Sequence, residues 1–225
     1  MPTSTWARLP EARRSAVLSA AQDEFCAHGY SGASLNTICR NAGVSKGSLF
    51  QYFDDKADLY AHLTELSGER VRAAMNEYAV TLPWDVDFFG ALESMVERWV
   101  RYFFDHPVER ALTAASTLEP DARGRSAVRA AIDPHYLAML EPIIDAGVRS
   151  GQIRADADRA ALLATLLVLL PQIALAPHVQ GLDPVLGLHG TDAGTAVEGA
   201  QRIVRLVTTA VRPQTAEAAA LNLTT

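Results

Sequence analysis

Apolar residues recur at helical spacing along nearly the whole chain. The first strong pattern runs from about Pro10 to His28, where Val17, Leu18, Ala21 and Phe25 share one face. Gly29 follows, at the place where a left-handed residue commonly closes a helix. Ser34 is suited to cap a short helix that turns Leu35, Ile38 and Cys39 inward. Ala42-Gly43-Val44 reads as a tight turn, and Ser45 caps a further helix presenting Val44, Leu49 and Phe53 to a core. Asp54 or Asp55 then caps a longer helix through Leu59, Leu63 and Leu66 to about Tyr78, with an acid at its positive end. Three short helices with a glycine-containing turn between the second and third have the shape of a helix-turn-helix.

Leu82-Pro83 marks a break. Beyond it Phe88, Leu92, Met95, Trp99, Phe103 and His106 form one stripe, closed by Pro107, with Glu97 and Arg101 paired four apart on another face. A shorter helix to about Leu118 precedes a polar loop, Pro120 to Gly124. The next helix covers Arg125 to Arg149, where Pro134 and Pro142 call for a kink or a break. Residues 160–170 are apolar on every face. They are too few to span a bilayer, and Pro171 and Pro177 interrupt the continuation. A helix apolar all round fits between other helices, including those of a second subunit. A glycine-rich loop, Gly181 to Gly194, leads to a last helix over about Ala193 to Val211. The expected fold is all-α: a small N-terminal three-helix domain at 8–66, a larger helical domain at 67–213, and a disordered tail at 214–225.

Composition sharpens this picture in three places. A hydrophobic fraction of 49% against 20% charged residues supplies a core and argues against global disorder. Cys26 and Cys39 fall on apolar helical positions without a metal cluster around them, which suits buried thiols in a reducing compartment. No secretory pattern opens the chain, so a bacterial-type cytoplasmic location is expected, with no membrane association. Net charge is −6, which by itself points away from nucleic acid. Its distribution points back: Gly29 to Phe53 contains Arg40 and Lys46 and no acid.

The fifty residues from Arg14 to Leu63 resemble the N-terminal domain of the TetR family. The resemblance rests on Ala20-Ala21, Phe25, Gly29-Tyr30, Ile38, Ala42-Gly43-Val44-Ser45-Lys46-Gly47, Tyr52-Phe53 and Lys56. Gly151-Gln152-Ile153-Arg154 followed by Asp156 is similar to the family's joint before its penultimate helix. The resemblance implies a homodimeric transcriptional regulator, most often a repressor, released from a palindromic operator by a small molecule. It implies no enzyme activity, no cofactor and no metal.

In that reading Lys46, Ser48 and Gln51 face DNA, and Gly47 permits close approach of the backbone. Lys46 can reach guanine acceptors or phosphate, and Gln51 can pair with adenine. By resemblance Ser34, Thr37, Tyr52 and Lys56 contact phosphates, with Arg40, Val44 and Ser45 completing the site; the helix start at Ser45 adds amide donors. Two departures weaken the phosphate contacts: Phe50 stands where the family usually has tyrosine, and Asp54 and Asp55 lie near the expected backbone path.

For the larger domain, the stripe allows either plain core or the walls of an apolar effector pocket. The pocket reading names Trp99, Tyr102, Phe103, His106, His135, Tyr136 and Met139. Leu163, Leu166, Leu167 and Leu170 cannot all face one subunit's core and are expected to meet a partner subunit. Two rival functions are an all-helical enzyme and a helical adaptor. The chain shows no phosphate loop, dinucleotide fingerprint, nucleophile elbow or paired zinc histidines. An adaptor would need acids or prolines across the recognition face, which is free of both.

Overall fold

The computed structural model describes residues 2–213, so the tail expected at 214–225 lies outside the described residues. Among the described residues the structure is all-helical. The helices are α1 (Ser4–Ala7), α2 (Glu11–Gly32), α3 (Leu35–Ala42), α4 (Lys46–Tyr52), α5 (Lys56–Ala79), α6 (Phe88–Asp105), α7 (Pro107–Thr117), α8 (Ala122–Arg149), α9 (Arg159–Leu175) and α10 (Ala193–Thr209).

The chain divides into two compact units. The first joins Met1–Ala73 to Phe103–Tyr136, and the second joins Ala74–Tyr102 to the chain from Leu137 onward. In the first unit α2 packs on α3 and on α7. Its core gathers Val17, Ala21, Phe25, Ile38, Leu49, Phe53, Leu59 and Tyr60, and takes in Leu112 from α7 and Val128 from α8. The helix-turn-helix therefore shares one core with two later helices. Burying a side chain of this size contributes about 1.5–3 kcal/mol, which short helices such as α3 and α4 need because nucleating them alone is unfavourable.

In the second unit Trp99 is 2% exposed, and its indole nitrogen donates to the Leu170 carbonyl at 2.9 Å. Gln152 sits in the segment resembling the family joint. Its Oε1 accepts from the Phe88 amide at 2.7 Å, satisfying a donor at the start of α6 that has no partner within the helix. Arg205 and Glu93 pair at 3.7 Å, and the Arg212 guanidinium lies 3.7 Å from the Phe89 ring centroid.

Four features depart from the sequence pattern. The N-terminal α1 has no periodic signal of its own. Gly29 bends α2 rather than ending it, with φ 63° and ψ −176°, and one more turn follows to Gly32. α8 runs through Pro134 and Pro142, and α9 runs through Pro171. An internal proline costs a helix about 3 kcal/mol. Burial offsets it here: Met139, Leu140, Ile143 and Ile144 on α8, and Leu170, Ile173, Ala174 and Leu175 on α9, are all buried.

Candidate functional site

The turn between α3 and α4 is built from side chains that the sequence places at helix starts. Ser34 Oγ accepts from the Thr37 amide at 3.3 Å and so caps α3. The Ser34 amide in turn donates to Glu24 Oε1 at 2.8 Å, which fixes the cap against α2. Gly43 closes α3 in the left-handed conformation at φ 65°. Ser45 Oγ accepts from the Ser48 amide at 3.0 Å and caps α4. Each such cap contributes about 1 kcal/mol.

This scaffold leaves Arg40, Ser45, Lys46, Gly47 and Gln51 exposed, with Ser34, Thr37 and Ser48 half-buried beside them. Phe50 is also exposed, at 44%. The remaining residues named from the sequence sit differently. Val44 is buried and belongs to the core. Tyr52 is buried too, its ring centroid 5.8 Å from that of Trp6. Lys56 Nζ donates to the Ala33 carbonyl at 3.3 Å and lies 4.5 Å from the Tyr30 ring centroid, so it ties the fold together. Asp55 is not a bare charge awaiting the DNA backbone. It pairs with Arg123 and accepts from the Asp58 amide at 2.9 Å, capping α5.

Glu119 is the residue with no sequence signal. It stands in the loop between α7 and α8 and is 4% exposed. Its carboxylate accepts from the amides of Tyr30 at 2.9 Å, Ser31 at 3.3 Å and Asp121 at 2.9 Å, and from the Ser31 hydroxyl. Burial pushes this carboxyl up, but the donors, led by the Ser31 hydroxyl, outweigh it and hold the group below its ordinary value. The turn it clamps is the one that Gly29 opens.

In the second unit a cavity is lined by Leu92, Met95, Val96, Trp99, Met139, Leu140, Ile143, Leu166 and Leu170. The space it encloses is small, about 20 Å³ for the centre of a water-sized sphere, so a larger occupant requires the lining side chains to move. Trp99 and Met139 are the residues of the expected effector set that line it. Tyr102, Phe103, His106, His135 and Tyr136 do not line this cavity. Tyr102 and Phe103 are buried without lining it, and His106 stands at the N-terminal boundary of α7, where its side chain makes no capping bond. Leu166 and Leu170, expected at a subunit contact, are buried at 3% and 5% and belong to the protomer's own cavity wall. Leu163 and Leu167 are half-exposed, and Val168 is 65% exposed.

Comparison with known proteins agrees with this architecture. Residues 17–63 match the bacterial regulatory proteins of the tetR family. The HTH-type transcriptional repressor SCO4008 of Streptomyces coelicolor is 30% identical over 190 residues, covering 84% of this chain and 90% of that protein. The chain belongs to the TetR family. This TetR-family regulator is also 24% identical over 186 residues to the HTH-type transcriptional repressor AcnR of Corynebacterium glutamicum, covering 80% of this chain and 91% of that protein. The structure of FadR from Bacillus subtilis in complex with stearoyl-CoA shares its fold, with a TM-score of 0.67 and 16% identity over 88% of this chain and 99% of that one. The chain is thus a DNA-binding transcriptional regulator. Among the described residues, no helix is long and apolar enough to cross a membrane.

Proposed function

We propose that this regulator represses transcription as a homodimer bound to a palindromic operator, with α4 in the major groove and an apolar ligand as the releasing signal. The observation that carries this reading is the exposed trio Arg40, Lys46 and Gln51 on a doubly capped turn, within a stretch that contains no acid. Lys46 reads guanine or phosphate and Gln51 reads adenine. Arg40, Thr37 and Ser34 hold the register through phosphates, which carry no sequence information.

Two copies related by a twofold axis set their recognition helices against half-sites roughly 34–36 Å apart, or a multiple of that spacing. The partner surface in this reading comes from α9 and α10, where Leu163, Leu167 and Val168 stand with Leu206, which is 77% exposed. The ligand occupies the cavity walled by Trp99 and Met139. Because α5, α6 and α8 each contribute residues to both units, a ligand in the second has covalent helical routes to the first. A coupling of about 1–3 kcal/mol per ligand is typical of such linkage.

Gel-shift titrations of the duplex upstream of the protein's own gene, with Lys46→Ala and Gln51→Ala, test the recognition assignment. Each substitution is expected to cost about 1–3 kcal/mol of discrimination while the protein stays folded. Unchanged affinity and specificity in both variants would remove α4 from the groove.

A further inference from the structure

The recognition helix is only seven residues long, and its last carbonyls have no partners within the helix. Two of them are taken by a residue 48 or 49 positions earlier. Thr3 Oγ1 donates to the Gln51 carbonyl at 2.6 Å, and the Thr3 amide donates to the Tyr52 carbonyl at 3.0 Å. Three residues on, Trp6 is 6% exposed, with its ring centroid 5.8 Å from Tyr52, 4.8 Å from Phe53 and 5.9 Å from His62. Its amide donates to the Thr3 carbonyl at 3.1 Å, closing the α1 turn. Arg14 Nη1 donates to the Ala7 carbonyl at 3.3 Å and ties that turn to α2.

We propose that the Thr3–Trp6 segment is a positioning latch for the recognition helix, acting through the Gln51 and Tyr52 carbonyls to set operator discrimination. The proposal rests on the reading that Gln51 contacts a base. A two-turn helix has few internal hydrogen bonds to resist tilting or fraying at its end. Gln51 lies in that last turn, so the carbonyl Thr3 holds belongs to the residue whose amide side chain must meet a base edge. Bidentate base contacts tolerate little misplacement, whereas attraction to phosphate is spread over many groups. Loosening the latch therefore removes discrimination before it removes general DNA affinity. A purely stabilising segment would affect both alike.

The test uses the full chain and an operator selected from random duplexes by the wild-type protein. Affinities are measured for that operator and for an unrelated duplex of equal length, at one fixed salt concentration. Thr3→Val keeps the shape and the amide but deletes the hydroxyl donor; Thr3→Ser restores it. Thr3→Val is expected to weaken operator binding about three- to tenfold, the worth of one hydrogen bond, and to leave the unrelated duplex within about twofold. Thr3→Ser should match the wild type, and the melt of Thr3→Val should stay cooperative and fall by no more than about 2–5 °C, the worth of the same bond to the fold. Operator loss with Gln51→Ala but none with Thr3→Val overturns the latch and leaves the recognition reading standing. Equal losses on both duplexes overturn the latch as well. No operator loss with either substitution overturns latch and recognition reading together.

Discussion

The Glu119 carboxylate accepts the Tyr30 amide at 2.9 Å, joining the loop before α8 to the bend that Gly29 makes in α2. The bend depends on glycine, because φ 63° is strained for any residue with a Cβ. Gly124 is placed for a related reason: a Cβ there would come within 2.4 Å of the Tyr30 ring. Helices α2 and α8 are held at this corner by backbone donors, a buried acid and a glycine contact.

The first prediction follows from that acid. Its ionised form is favoured in the folded protein, so its contribution is complete above the ordinary glutamate pKa of about 4.3. It is lost as pH falls through the lowered folded value. Glu119→Gln should cost about 1–3 kcal/mol at pH 7, since buried donors lose a charged acceptor. The gap from wild type should narrow as pH drops below 4. Urea melts at pH 7 and pH 3.5 measure both; a gap of the same size at each would show that the charge contributes nothing.

A second prediction concerns Cys26. Burial, with Asp23 and Glu109 adding to it, pushes this thiol up to about 11. Thiolate is correspondingly scarce at neutral pH, although the anion that does form is the more nucleophilic. Balanced together, these effects predict alkylation by iodoacetamide roughly twentyfold slower than for glutathione at pH 7.5. Mass spectrometry of the peptide over time gives the rate. Modification as fast as glutathione would mean that this part of α2 opens readily.

Much of this arrangement was legible in the residues. Ser34 and Ser45 announced two helix starts, and each cap is present. The stripe from Phe88 through Trp99 named one face of α6 correctly, since Leu92, Met95 and Trp99 all line the cavity. What stayed hidden was long-range. Thr3 and Glu119 act on partners 48 and 89 residues away, and nothing local distinguishes them from surface polar residues. Lys56 and Asp55 misled for the opposite reason. Charge near a recognition helix suggests DNA contact or repulsion, yet Tyr30, Ala33, Arg123 and Asp58 had already claimed both. Pro134, Pro142 and Pro171 look like breaks because propensity is local, while the burial that overrides it is not.

A third prediction locates the subunit contact. Val168 on α9 and Leu206 on α10 are the large exposed apolar side chains of these two helices, at 65% and 77%. In the dimer proposed above, the partner's α9 and α10 would cover them. Val168→Glu and Leu206→Glu should each shift sedimentation toward monomer and weaken operator binding at least tenfold, because two half-sites then no longer bind as one. Leu166→Glu should instead unfold the protein, since it buries a charge in the protomer. Wild type sedimenting as a stable monomer at micromolar concentration would refute the dimer.

The last prediction is the charge of the ligand. All nine residues around the cavity are apolar. The one polar side-chain atom they carry, Trp99 Nε1, is committed to the Leu170 carbonyl. A carboxylate placed there would lose its water shell and gain no side-chain donor, a cost of several kcal/mol. Apolar contact, by comparison, supplies about 0.8 kcal/mol per buried methylene. The cavity, whose walls must part to admit a chain, should therefore take a neutral medium-chain alcohol in preference to the carboxylate of equal length, by tenfold or more. Titration calorimetry with decanol and decanoate makes the comparison, and operator release is followed beside it. A ligand that favours the DNA-free state tenfold supplies about 1.4 kcal/mol per site, so release should follow the same order as affinity. Met139→Phe, which fills the cavity without burying a charge, should abolish alcohol binding while α4 still binds operator. Tighter binding of decanoate than of decanol would place the effector elsewhere, among groups that can meet a charge.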